Sequence, residues 1–325
     1  QGKRFETKDF PKTNWNFRKY FWFPKIRLFG IQAMTLLRDV FVLHGTGVGG
    51  GSLVYANNLI TPNDEVLDNP NWGIDDWKNK IKPFYQKAKF MLGASSHKIK
   101  TPGDDLLREC IEEITGKDTF HYNDVGIYFG KNGVTVPDPY FDGEGPNRTG
   151  CILCGGCMVG CQHNAKNTLD KNYLYLAEKL GVEIIPETQV DSIVPKDGGY
   201  EVVAKNITRI FSKRKRFTTA GVVLSGGVMG SVKLLFKCKQ STMPGISNQL
   251  GRFISTNNEA ITGAIAPDDS TDYSKGISIT SGVYPDESTH IETVRYGEGQ
   301  DALSALTTPL VKGGNLPRQL YFFIS

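Results

Sequence analysis

Two stretches of the 325-residue chain concentrate side chains and backbone that can do chemistry. One is Cys151-x2-Cys154-x2-Cys157-x3-Cys161, four of the six cysteines within eleven residues. Thiolates are soft ligands, and this is the spacing on which bacterial ferredoxins hold an iron–sulfur cluster. Gly155, Gly156 and Gly160 leave the backbone free to wrap a 4Fe–4S or 3Fe–4S group. Gln162 replaces the Pro that usually follows the last Cys, and no second cysteine run is present. Zinc usually draws two ligand pairs from separate parts of a chain, so it fits less well. Four structural thiols are the other open reading. The second stretch runs from Gly45 to Gly51, five glycines in seven residues, followed by Ser52, Tyr55 and Asn58. So many glycines cost conformational entropy unless something needs the backbone bare. Close approach of amides to a phosphate or a flat cofactor is such a need. Apolar flanks at Val40 to Leu43 and Leu53 to Val54 argue against a flexible linker.

These stretches need elements to position them. Residues 1–40 read as an irregular, aromatic-rich connection ending in a strand before the glycine run. Helical spacing over Asp75 to Leu92 predicts a helix stopped at Gly93, with a kink or break at Pro83. Asp104 to Thr115 predicts a second helix, stopped at Gly116. Residues 117–150 read as loops with short strands. Leu169, Tyr173, Leu176, Ala177 and Leu180 form one apolar helical face, capped by Thr168 and ended by Gly181. Strands are expected at Val182–Ile185 and Thr188–Val190, a hairpin turn at Lys196–Tyr200, and a buried strand at Gly221–Ser225. A helix then follows Gly226-Gly227, with Val228, Val232, Leu235 and Phe236 inward. Strand, glycine turn and helix would make a second anion-friendly helix terminus. The whole reads as mixed α/β, with parallel β-α units around more antiparallel inserted material.

Composition narrows the classes. Hydrophobic content is 39%, charged content 22% and net charge +4. That balance fits a globular protein and does not argue for nucleic acid. Lys213-Arg-Lys-Arg216 reads as a solvated hairpin. No apolar run approaches the ~20 residues of a transmembrane helix, and no signal peptide is visible. The clustered cysteines point to a reducing compartment, hence a cytoplasmic protein. Cys110 and Cys238 read as small buried hydrophobes. With no initiator Met before Gln1 and an apolar run Leu320–Ser325 at the end, the chain is expected to be the interior of a longer protein.

His44-Gly-Thr-Gly-Val-Gly-Gly-Gly-Ser-Leu-Val54 resembles the flavin loop of the glucose–methanol–choline (GMC) oxidoreductases, most closely their cholesterol-oxidase branch. Ala165–Leu174, Gly226–Ser231, Leu250–Glu259 and Thr289–Gly297 match that branch in the same order. Flavoprotein glucose dehydrogenases of the family also carry an iron–sulfur cluster on a cysteine run at this position. The resemblance implies an FAD-binding Rossmann-like domain with an inserted α+β substrate domain. It assigns 1–62 and 150–260 to the first, lacking its first βαβ unit, and 63–149 and 261–325 to the second.

The resemblance implies FAD contacts from Gly45, Gly47, Val48, Gly50, Gly51, Ser52, Tyr55 and Asn58, an adenine contact from the Val190 backbone, and Gly227 in the turn before the helix that closes the site. It implies hydride transfer from a sterol or other bulky alcohol, with O₂ or a redox protein as electron acceptor, and membrane association only through a lipid substrate. The family's first dinucleotide fingerprint and its C-terminal His and Asn are absent from this stretch. The chain alone is therefore expected to bind FAD poorly. Tyr55-Ala-Asn-Asn58 stands where cholesterol oxidases often read Asn-Gly-Gly-Met, so the pocket over the flavin differs.

Glu292 has two readings. Thr289–Tyr296 reads as a strand, which puts His290, Glu292 and Val294 on one face. From the strand alone, Glu292 is a surface residue paired with His290 or Arg295. By resemblance it falls where cholesterol oxidases keep the carboxylate that moves a proton during steroid isomerisation. A cluster-bearing electron-transfer module, a dehydrogenase of another alcohol or sugar, and a scaffold with a vestigial flavin fold are the competing functions.

Overall fold

A computed structural model describes residues 2–306 apart from Asp39, Asn258, Ile265 and Pro267. Gln1, the run Leu320–Ser325 and residues 307–325 of the expected substrate segment lie outside the described residues. The aromatic N-terminal region is structured by its own packing. It contains α1 (Phe17–Tyr20) and β1 (Trp22–Phe23), which pairs antiparallel with β2 (Leu28–Phe29). Then β3 (Gln32–Leu36) and β4 (Phe41–Gly45) form a hairpin that leads into the glycine run. Phe10, Tyr20, Ile31, Leu53 and Val159 form one buried cluster beneath it.

Asn63 caps the short α2 (Asp64–Leu67). Next comes α3 (Trp77–Leu92), which continues through Pro83 instead of breaking there. One missing N–H among sixteen residues removes a single helical bond. In α4 (Pro102–Thr115), Thr101 and Asp104 make a reciprocal capping box, with Pro102 at the first helical position and Gly116 left-handed at the end. Short strands follow at β5 (His121–Tyr122), β6 (Thr135–Val136) and β7 (Arg148–Thr149). The helix expected from Thr168 is split: a 3-10 turn covers Leu169–Lys171, Asn172 departs from helical geometry, and α5 (Tyr173–Lys179) resumes. Leu180 is thereby left exposed.

The second half begins with a three-stranded antiparallel sheet, β8 (Thr188–Lys196), β9 (Gly199–Asn206) and β10 (Arg214–Thr219). Its first turn is the one expected at Asp197-Gly198, with Gly198 at φ +77°. The basic cluster lies on its solvated edge strand, β10. Helix α6 (Gly227–Lys239) follows. The last sheet joins distant segments in the order β12 (Ile291–Val294), β11 (Ile279–Val283), β5.

The mixed α/β content is as expected, but the strand geometry is not. Every pairing between named strands among the described residues is antiparallel. Val182–Ile185 and Gly221–Ser225 form no strand. An apolar run becomes a buried strand only with neighbours to pair it. Val222–Leu224 has none among the described residues, and Val223 is 89% exposed. For the same reason Val228 and Phe236 of α6 face solvent instead of a sheet. Cys238 is fully buried as expected, whereas Cys110 is exposed.

Candidate functional site

Strand β4 delivers Gly45 into a tight turn in which Gly47, Gly49 and Gly50 have φ of +136°, +111° and +56°. These conformations explain three glycines by backbone geometry alone. Gly45 is explained by crowding: a Cβ there would sit 2.5 Å from the Gly50 carbonyl oxygen and 3.0 Å from Gly51 Cα. Gly51 has neither explanation. Its φ is not left-handed, and a Cβ there would meet nothing within 4 Å. Gly50 likewise faces open space. The fold of the chain does not require Gly51 to be bare. A cofactor lying against the backbone would.

The neighbouring polar atoms agree. Ser52 Oγ donates to the Gly49 carbonyl (2.7 Å) and accepts from Leu169 N–H (2.9 Å), which ties residues 168–170 to the loop. Thr168 Oγ1 and Asp170 Oδ1 are buried there without a hydrogen-bond partner. Val48 is buried, its N–H bonded to the Lys3 carbonyl at 2.9 Å. A bare glycine edge beside unspent buried polar atoms fits the FAD that the sequence implies.

Two buried cations that sequence reading missed hold this loop in place. Lys166 is fully buried, and its Nζ donates to the carbonyls of Leu53 (2.9 Å), Tyr55 (3.0 Å) and Cys157 (2.6 Å). It also lies 4.8 Å from the Tyr55 ring centre. Burial pushes its pKa down to about 8. Lys166 therefore pins the end of the glycine loop to the cysteine loop. Arg148 is equally buried. It donates to the Asn164 and Ala165 carbonyls and to Asn167 Oδ1, and the Asn167 carbonyl accepts from Tyr55 Oη at 2.7 Å. A lone Lys or Arg in a polar stretch carries no sequence sign of burial. Only the convergence of carbonyls in the fold reveals it.

The continuation of the loop reaches Glu292. Asn58 and Asn123 both donate their amide N–H to Glu292 Oε1, Asn123 at 2.7 Å. Asn57, at φ +68°, bonds the Ile279 carbonyl of β11. The side-chain oxygens of Asn57, Asn58 and Asn123 are buried and unpartnered. Burial pushes Glu292 up to about 7, and exposed Glu259 adds to the rise. The Asn123 and Asn58 hydrogen bonds only partly oppose it. The ion-pair reading of Glu292 fails on both partners. Arg295 turns inward to the Ile277 carbonyl (2.7 Å), Thr101 Oγ1 (2.6 Å) and buried Asp104 (3.8 Å). His290 Nδ1 is 3.7 Å from Glu292 Oε1, but burial and His121 push its pKa down to about 4, so it is neutral near pH 7.

The cysteine run is brought together only in part. Cys151, Cys154, Cys157 and Cys161 line one small cavity with Ile127, Ala165 and His163. Cys151 and Cys157 belong to an apolar cluster with Val125, Ile127, Ala165 and Ile277. Among the described residues no three His, Cys, Asp or Glu side chains are arranged to hold a metal ion. Without a metal, burial pushes Cys151 up to about 12 and raises Cys154 and Cys157 as well. Cys161 runs the other way. Burial raises its thiol, but Lys171 and nearby backbone amides outweigh it. As folded, these residues form no arrangement that would hold an iron–sulfur cluster. The ferredoxin spacing is present and all four cysteines border one cavity, three of them packed on the same apolar cluster.

Val190 and the turn before Gly227 meet elsewhere. Val190, Val202, Val222 to Gly226, Gly230 and Leu234 line an open cleft of ≈ 120 Å³ between β8–β9 and α6. Gly2 links the two regions: it packs on Gly47, and its carbonyl accepts from Glu187 N–H at 2.7 Å, one residue before β8.

Comparison with known proteins gives concordant matches. The GMC oxidoreductase family matches residues 145–250. A cholesterol oxidase of Acinetobacter baumannii is 41% identical over 336 aligned positions, covering 99% of this chain and 60% of that protein. A cholesterol oxidase of Mycobacterium tuberculosis (strain ATCC 25618 / H37Rv) is 42% identical over 325 positions, covering 96% of this chain and 56% of that protein. The chain thus spans somewhat over half the length of these curated relatives.

Proposed function

Because the chain belongs to the GMC oxidoreductase family, we propose that it acts as an FAD-dependent oxidoreductase on CH–OH groups, with a 3-hydroxysteroid or a similar bulky alcohol as substrate. The observation that carries the sterol reading is Glu292. Its half-buried carboxylate is held by two amide donors, and no lysine or arginine among the described residues pairs with it. Bound FAD supplies the hydride acceptor. The chain's own residues supply the rest. Gly50 and Gly51 leave the backbone bare for the cofactor, and Lys166 and Ser52 fix that loop. Asn58 and Asn123 orient the carboxylate. Glu292 then takes a proton from the carbon next to the new ketone and returns it across the double bond, which conjugates the product.

The two-domain division remains part of this proposal. It is supported by the β12–β11–β5 sheet, which draws on both 63–149 and 261–325, and by Asn57 and Asn58, which bridge from the glycine loop to that sheet. Val190 and Gly227 are proposed to face the adenine end. O₂ or a redox protein is proposed to take the electrons. Among the described residues no helix is long and apolar enough to cross a membrane.

Glu292→Gln in the full-length protein is expected to oxidise a 3-hydroxysteroid but to release the unconjugated ketone. In the unsubstituted protein, isomerisation should rise with pH through about 7, because the base is the deprotonated form and burial has moved it there. Chromatography of the products checks both. Conjugated ketone formed by the variant at the parental rate would remove Glu292 from the mechanism.

A further inference from the structure

Glu292 and His290 both reach the surface in part, with 21% and 19% of their side chains exposed. His290 Nδ1 faces its Oε1 at 3.7 Å, and His290 Nε2 lies 3.2 Å from Nε2 of His121 on β5. His121 Nδ1 lies 3.1 Å from the Thr119 carbonyl. The two rings stack on each other and on Tyr284, with centroids 4.6 to 5.2 Å apart. The stack fixes their orientation.

The hydrogen-bond partners fix the protons. A carbonyl only accepts, so His121 Nδ1 carries the hydrogen. Neutral His121 then has a bare Nε2, and His290 Nε2 must donate to it. That leaves the lone pair of His290 Nδ1 pointing at the Glu292 carboxyl group. We propose that His290 and His121 form a proton relay that connects Glu292 to solvent. This rests on the reading of Glu292 as the proton-transfer carboxylate.

The proton on Glu292 bonds to His290 Nδ1. The Nε2–H bond of His290 breaks, and that proton bonds to His121 Nε2. The products are the Glu292 carboxylate, neutral His290 in the opposite tautomer, and His121 imidazolium, which releases its proton to water. The other ionisable groups facing this line are Tyr284, stacked on both rings, and exposed Glu259 on the Glu292 side. The long Glu292–His290 separation is of the kind that tightens when substrate closes a site.

Two measurements on the full-length protein test the relay. The first is ¹⁵N NMR of the imidazoles. With His121 neutral, His290 is expected as the Nε2-protonated tautomer, and a His290 found protonated on Nδ1 overturns the relay. The second uses a 3-hydroxysteroid deuterated at the carbon that Glu292 deprotonates. The relay washes that deuterium into water, so His290→Phe and His121→Phe should both raise its retention at the receiving carbon. Flavin absorbance reports that each variant has folded. Unchanged retention in both folded variants overturns the relay while leaving Glu292 in its role. A Glu292→Gln protein that still isomerises overturns the underlying reading and the relay with it.

Discussion

Gly51→Val in the full-length protein is expected to purify folded but colourless. A Cβ at Gly51 meets no atom of the chain within 4 Å, so the fold should absorb the change. The same added atoms would fill the space in which the proposed cofactor would lie against the backbone. Overpacking of about 1–3 kcal/mol weakens FAD binding by roughly 5- to 150-fold. Gly45→Val is the contrasting control. Its Cβ would meet the Gly50 carbonyl at 2.5 Å, so it should lower the melting temperature instead of acting on the cofactor alone. Visible absorbance and thermal melts, run side by side, separate the two. A yellow Gly51→Val protein with parental FAD affinity would show that this edge does not face the flavin.

Lys166→Met is expected to produce the largest loss of stability. The change leaves the carbonyls of Leu53, Tyr55 and Cys157 without their shared donor at a fully buried site. Each buried orphan costs about 1–3 kcal/mol, only partly offset by relief from burying an ammonium, so a loss of about 3 kcal/mol or more is expected. Because two of the three carbonyls flank the glycine run, FAD retention should fall with stability. The lowered pKa of Lys166 sets the sign of a further effect. The group is easier to deprotonate in the folded protein than in the unfolded chain, with a pKa of about 8 against an ordinary 10.5. Its burial therefore penalises the folded state most where the unfolded lysine stays charged and the buried one is charged too, below about 8. That penalty shrinks as pH rises from about 8 toward 10.5. A Lys166→Met melting curve that overlays the parent would show that the three carbonyls find other donors.

What the sequence revealed depended on whether local chemistry or distant packing decided the outcome. The glycine run, the helices ended by Gly93 and Gly116 and the hairpin at Gly198 were legible because each rests on a backbone conformation that glycine favours. The strands expected at Val182–Ile185 and Gly221–Ser225 were not formed, because strand formation needs a partner that a local pattern cannot supply. The same limit separated the two readings of Glu292. Its strand pattern suggested an ion pair with His290 or Arg295. Burial instead draws Arg295 to Asp104 and surrounds Glu292 with Asn58 and Asn123, which lie more than 160 residues away in sequence. For the cysteine run, spacing alone was ambiguous between ligation and packing, and the packing of Cys151 and Cys157 on Val125, Ile127 and Ile277, from two other segments, was not visible in it.

We propose that this chain builds the flavin-facing wall of a sterol-oxidising site. The most direct test is an anaerobic absorbance titration of the full-length protein with a 3-hydroxysteroid. The expected result is a bound-flavin spectrum that bleaches in proportion to added steroid, with one ketone formed per flavin. A protein with stoichiometric flavin that stays fully oxidised with the steroid but bleaches with a small sugar or alcohol would contradict the sterol assignment. A protein that purifies without flavin and takes up none when FAD is added would contradict the site itself.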